Sequence, residues 1–113
     1  NMSDEIYFRP EWTCGKYNAD KHVAIVFNLI EGIDYFFERE AADVIGLVLA
    51  VGKNGKVYVK TVSEYLQIEK NSIIKFFSKL EKYGILSKLP ITKEVICNYR
   101  ITRVLIIVTI VNI

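Results

Sequence analysis

Histidine is nearly absent: His22 is the only one in 113 residues. A lone imidazole with no catalytic partner close by in sequence reads as a residue on a strand face or edge, not as a base. Cysteine is almost as scarce, and Cys14 and Cys97 stand far apart in no metal-ligand spacing. They read as reduced, packed thiols of a cytosolic protein, with a disulfide between them as the other reading. Cys14 would serve as a nucleophile only if His22 or a cation lowered its pKa, and no local catalytic signature accompanies it. Long apolar runs are missing too. The longest, 104–111, is eight residues with one Thr, far short of the roughly 20 that span a bilayer. No apolar run follows a basic start, so no signal peptide is expected and the expected location is cytoplasmic. Gly52-Lys53-Asn54-Gly55-Lys56 has neither the spacing of a phosphate loop nor its following Ser or Thr. These absences argue against an enzyme, a metal or a cofactor and toward a binding protein.

What is present is globular: 51% apolar, 25% charged and 12% aromatic residues. The net charge of +2 hides an asymmetry. Residues 1–50 carry four basic and nine acidic side chains, whereas residues 51–113 carry eleven basic and four acidic ones. The basic half is suited to an anionic partner.

The pattern along the chain predicts an α+β fold: a three-stranded antiparallel meander, then three helices, then a β-rich C-terminal extension. Residues 1–10 are polar and read as a loose arm. Strands are expected at 11–17, 22–29 and 33–37, the last alternating Ile33, Tyr35 and Phe37 against Asp34 and Phe36. Ala41, Val44, Ile45, Val48 and Leu49 then follow at helical spacing, ended by the Gly52–Gly55 turn. Residues 57–59 could be a short extended piece. Thr61-Val62-Ser63-Glu64 has the form of a capping box opening a short helix over 62–66. Asn71 or Ser72 would cap a longer helix through Tyr83, with Gly84 as its stop. Beyond Pro90, 95–101 and 104–111 read as strands. The expected division is arm 1–10, domain 11–89 and extension 90–113.

Two constellations could bind something. The helix pair 61–83 fits helix-turn-helix spacing, with Lys70, Asn71, Lys75, Lys79 and Lys82 facing outward. Lys88, Lys93 and Arg100 would sit on a wing formed by 85–89 and 95–101. Those side chains could meet phosphates, and Asn71 a base edge; the bland reading is a solvated helix face. The other constellation is the aromatic strand Ile33, Asp34, Tyr35, Phe36, Phe37. If it is an open sheet edge facing the third helix, its backbone can pair with an incoming peptide. Here the bland reading is that these aromatics are simply core. The apolar tail 104–111 could also join two copies into a homodimer.

The ordered set of motifs resembles the PqqD-like family, the RiPP recognition elements. The motifs are Phe37-Glu38-Arg39-Glu40-Ala41-Ala42-Asp43-Val44-Ile45, Thr61-Val62-Ser63-Glu64, and the closing helix and exit over 74–86. The resemblance covers 11–86 and implies a non-catalytic winged helix-turn-helix domain. Such domains capture the leader of a ribosomally made precursor peptide and present it to a modifying enzyme, often a radical SAM enzyme. It implies that the leader adds as a strand beside 33–37 and packs on Ile73, Phe76, Lys79, Leu80 and Tyr83. The segment 52–60 and the tail 91–113 have no counterpart in the minimal domain. The alternative function is a winged-helix DNA-binding regulator.

Overall fold

The computed structural model describes residues 5–90 and 108–111. The elements run β1 (Ile6–Phe8), β2 (Thr13–Asn18), β3 (Val23–Asn28), β4 (Ile33–Glu38), α1 (Arg39–Ala50), β5 (Lys56–Tyr58), α2 (Val59–Leu66), α3 (Lys70–Lys82) and β6 (Val108–Val111). The chain is α+β, but the expected order, a three-stranded meander followed by three helices and a β-rich extension, does not hold. Three findings overturn it. A strand precedes the meander. Another lies between α1 and α2 and pairs back with the first, Tyr7 opposite Val57. The last strand joins the meander sheet, giving the order β2-β3-β4-β6.

Residues 6–8, expected in a loose arm, are therefore structural. Tyr7 is fully buried and sits edge-on to Phe77, with ring centroids 5.1 Å apart. A three-residue strand that buries one side chain offers no period to read. The exit from α3 also returns to this strand: Phe8 and Ser87 exchange backbone hydrogen bonds of 2.7 and 2.9 Å. The expected wing over 85–101 thus begins as the neighbour of β1, and its remainder lies outside the described residues, as does the strand expected at 95–101.

β2, β3 and β4 form the expected antiparallel meander. Its inner face carries Ala24, Val26, Tyr35 and Phe37, all buried. α1 lies against that face and contributes Ala41, Ala42, Val44, Ile45 and Val48 to the same core. The amphipathic spacing of α1 is what the sequence predicts. α2 starts two residues before the expected cap. Thr61 is inside the helix, Tyr58 holds the cap position without a side-chain bond, and the Val59 N–H donates to the Glu5 carbonyl at 3.0 Å. The N-terminal segment thus satisfies one of the free donors at the start of α2. α3 likewise starts earlier, at Lys70, with Glu69 and not Asn71 or Ser72 in the cap position, and the Ser72 and Ile73 N–H groups donate to the Glu69 carbonyl.

The stop at Gly84 is as expected. It has φ 73°, and the Ile85 N–H reaches Leu80 O at 2.8 Å while the Gly84 N–H reaches Glu81 O at 3.1 Å, the paired bonds of a Schellman turn. Two side chains serve carbonyls just past this helix: Asn28 Nδ2 donates to Tyr83 O at 3.0 Å and Trp12 Nε1 to Gly84 O at 2.8 Å. Arg9 does the same at the end of α1, donating from Nη1 to Leu49 O (3.1 Å) and Val51 O (2.7 Å). A cation there also meets the negative end of the helix dipole. Burial pulls the Arg9 pKa below its usual value, and its guanidinium makes charge-assisted bonds to the Leu49, Val51 and Thr13 carbonyls and the Thr13 hydroxyl in return. Among the described residues no helix is long and apolar enough to cross a membrane.

Candidate functional site

The proposed peptide edge is already paired. Residues 34–37 of β4 lie in register with Val108–Val111, and the two strands are parallel. The expectation of an open edge at 33–37 is therefore corrected: the chain's own last strand fills it. Val111, opposite Phe37, is only 4% exposed and belongs to the core. Within the chain 108–111 pair with β4; 104–107 lie outside the described residues.

The residues expected at this site divide by strand parity. Tyr35 and Phe37 point inward, and two aromatic contacts tie them to α3 and its cap. Tyr35 stacks on Tyr83 with centroids 4.7 Å apart and planes 29° apart. Phe37 meets Phe76 edge-on at 6.0 Å. These geometries are the favourable ones for aromatic quadrupoles. Ile73, Phe76 and Leu80 are fully buried, so they form the floor of the site and the core at once. Phe36 points to the other face and is 37% exposed, and Ile33 and Asp34 are half-buried. Burial, with Glu31 and Tyr83 nearby, raises the Tyr35 phenol to about 12. Lys79 is exposed on α3 and, with Ser72, Lys75 and Phe76, lines a hollow of about 280 Å³. Its floor, Phe76, is the ring that touches Phe37, so a basic-rimmed hollow and the paired edge share one aromatic contact.

The residues expected to meet DNA are only partly together. Asn71, Lys75, Lys79 and Lys82 are exposed on α3, and Lys70 is half-buried. Lys88 faces elsewhere: its ammonium is 2.9 Å from Glu5 Oε1 and 5.1 Å from the centre of the Tyr7 ring. The Glu5 bond raises its pKa. Lys93 and Arg100 lie outside the described residues. β1 thus takes up a lysine that the sequence assigned to the wing.

Two features have no counterpart in the sequence reading. One is a polar cluster where the β2–β3 turn meets α1. Asp43 Oδ1 accepts from Tyr17 Oη at 2.5 Å and lies 2.8 Å from His22 Nδ1. His22, expected within a strand, sits in the turn with φ 52°. The Tyr17 phenol is raised to about 12, chiefly by its hydrogen bond to Asp43. Its ring rests on Gly46, where a Cβ would come within 2.5 Å of it. The turn between Tyr17 and His22 was legible; the meeting of those two side chains with Asp43, over 20 residues away in sequence, was not. The other is a hollow of about 500 Å³ on the outer sheet face, lined by Lys16, Tyr17, Asn18, Val23, Ile25 and Phe36 among others. Cys14, also on β2, is a half-buried free thiol; Cys97 lies outside the described residues. Among the described residues no three His, Cys, Asp or Glu side chains converge as a metal site would require.

Compared with family models, with curated proteins and with solved structures, the chain matches none.

Proposed function

We propose that this protein is a non-catalytic peptide-binding module that takes an extended segment as a strand beside β4. In this reading it holds a precursor peptide for a modifying enzyme, as the resemblance of its ordered motifs to the PqqD-like family implies. The observation that carries the reading is the pairing of 34–37 with a short parallel strand, one of whose residues is buried opposite Phe37. With β6 out of the way, the β4 edge would offer main-chain hydrogen bonds of about 1 kcal/mol net each. The aromatic contacts of Tyr35 and Phe37 with Tyr83 and Phe76 give the inward side chains a shaped floor. Lys75 and Lys79 beside Phe76 favour a segment with acidic residues. The test is to titrate leader peptides from candidate precursors into the isotope-labelled chain and follow backbone amide shifts. Shifts concentrated in Ile33–Glu38 and on the Ser72, Lys75 and Lys79 face of α3 are expected. Saturable binding that leaves those amides unmoved would reject the site.

A second reading rests on Lys75, Lys79 and Lys82, which form an exposed basic stripe at helical spacing. It assigns that stripe to nucleic-acid phosphates. Affinity for duplex DNA that falls steeply with salt would favour it; no binding at low salt would remove it.

A further inference from the structure

We infer that the hollow between the end of α1, β5 and α2 is a second binding surface, and that it takes single-stranded nucleic acid. Lys53, Lys56 and Lys60 meet phosphates there, and an unpaired base stacks on Tyr58 or Tyr65. The surface is separate from β4 and from the α3 stripe, so it stands or falls independently of both readings above.

Local geometry brings rings and cations together. β5 alternates: Val57 is buried in the core, and Lys56 and Tyr58 turn outward on one face. α2 begins at the next residue, and Thr61 and Tyr65, one helical turn apart, share a side of it. Lys56, Tyr58, Thr61 and Tyr65 all line a hollow of about 150 Å³. Its apolar wall comes from Leu47 and Val51 at the end of α1 and from Val62. Two phenol rings from different elements therefore rim one small apolar slot. Tyr58 is 39% exposed and Tyr65 73%. A single exposed aromatic is ordinary on a protein surface; two around one hollow form a flat contact surface that the fold itself does not use.

The charge around the rings is of one sign. Residues 51–63 hold three lysines and no acidic residue. Lys53, Lys56 and Lys60 are all exposed, and none makes an ion pair with a described residue. Glu64, on α2, is an exposed acid at the margin. Two other carboxylates near these elements are engaged: Glu11 accepts from Asn54 Nδ2 at 3.2 Å, and Asp43, one turn before Leu47, accepts from Tyr17. An acidic peptide would use the lysines and leave the rings idle. A proline-rich segment would use the rings and leave the lysines unpaired. A single strand uses both, because every nucleotide brings a phosphate and a base with a π-face. A duplex keeps its bases within its own stack, out of reach of the tyrosines.

The probe is a fluorescently labelled oligothymidylate of about 12 nucleotides, titrated with the full chain and followed by anisotropy. Three phosphate contacts give a salt slope of about −2, so affinity should fall about 20-fold between roughly 50 and 200 mM salt. Lys56→Gln with Lys60→Gln should weaken binding and flatten that slope to about −0.7. Tyr65→Ala, at a side chain exposed enough for the fold to spare it, should weaken binding about tenfold, and Tyr65→Phe, which keeps the ring, should restore it. A duplex of the same length should bind about tenfold more weakly than the single strand. No binding at low salt overturns the inference, as does binding that neither Tyr65→Ala nor Tyr58→Leu weakens. Loss of binding in Lys75→Gln with Lys79→Gln, but not in Tyr65→Ala, would move the nucleic acid to α3 and overturn it equally. Polyglutamate bound as tightly as the oligonucleotide, with the same loss in the lysine variant, would make the hollow a surface for an acidic protein and remove the nucleic acid.

Discussion

The two faces of the meander are built from the same three strands, and along β3 they differ in side-chain size in the unexpected direction. Along β3 the buried face carries Ala24 and Val26, and the outer face carries Val23, Ile25 and Phe27. The bulkier apolar residues are on the side that is less buried. The helix explains this. α1 sets Ala41 and Ala42 against the inner face, and small side chains on both surfaces let helix and sheet approach closely. The large inward residues, Tyr35 and Phe37, sit on β4, where Tyr83 and Phe76 receive them. Hydrophobicity alone therefore picks the wrong face of β3, and volume picks the right one.

Cutting a large side chain from the inner face has the largest effect. Phe37→Ala should cost about 3–5 kcal/mol in denaturant unfolding, because the cavity lies among Phe76, α1 and β6. A loss near 1 kcal/mol would mean that this face collapses and is not tightly packed. Overfilling comes next: Ala42→Leu, at a position with no exposed surface, should cost about 1–3 kcal/mol by pushing α1 off the sheet. Calorimetry showing an unchanged Tm would refute the close approach.

A smaller effect depends on pH. The folded-state pKa values of Tyr35 and Tyr17 are raised from 10.0 to about 12. A phenol whose folded pKa exceeds its unfolded value contributes stability that is complete below pH 10 and lost as pH rises through 12. The chain should accordingly weaken over that window. Tyr35→Phe and Tyr17→Phe should each flatten the decline, and ultraviolet titration of tyrosinate should show both groups ionising late. Tyr17 is over a third exposed, so its share is the more reduced by solvent. The smallest change belongs to the outer face: Phe36→Ser should alter stability by about 1 kcal/mol or less. A loss as large as that of Phe37→Ala would show the two faces to be equivalent.

The parts legible in the sequence were those with a local cause. Alternation along 33–38 separates Tyr35 and Phe37 from Phe36, the period of α1 marks its buried stripe, and Gly84 ends α3. What stayed hidden depends on partners distant in sequence. β1 is recognisable only once Val57 and Phe77 are beside Tyr7. α2 starts at Val59 because the Glu5 carbonyl is there to accept its N–H. The tail reads as a strand from its β-branched residues, but nothing local says that its last four residues lie parallel to β4 and fill the edge. The candidate site shows the same division: Tyr35, Phe37, Phe76 and Tyr83 are brought together as expected, Ile73 and Leu80 are deep core, and Lys88 is drawn away by Glu5.

Trp12 offers an optical handle. It is the only tryptophan in the chain, 6% exposed, and its indole N–H donates to the carbonyl of Gly84 just beyond α3. Its emission should be blue-shifted in the folded protein and move red when the turn after α3 opens. Because the indole reports from the α3 exit and not from the β4–β6 pairing, loss of the last strand without global unfolding should leave its colour unchanged. A single fluorescence spectrum can then separate a vacated edge from a melted domain.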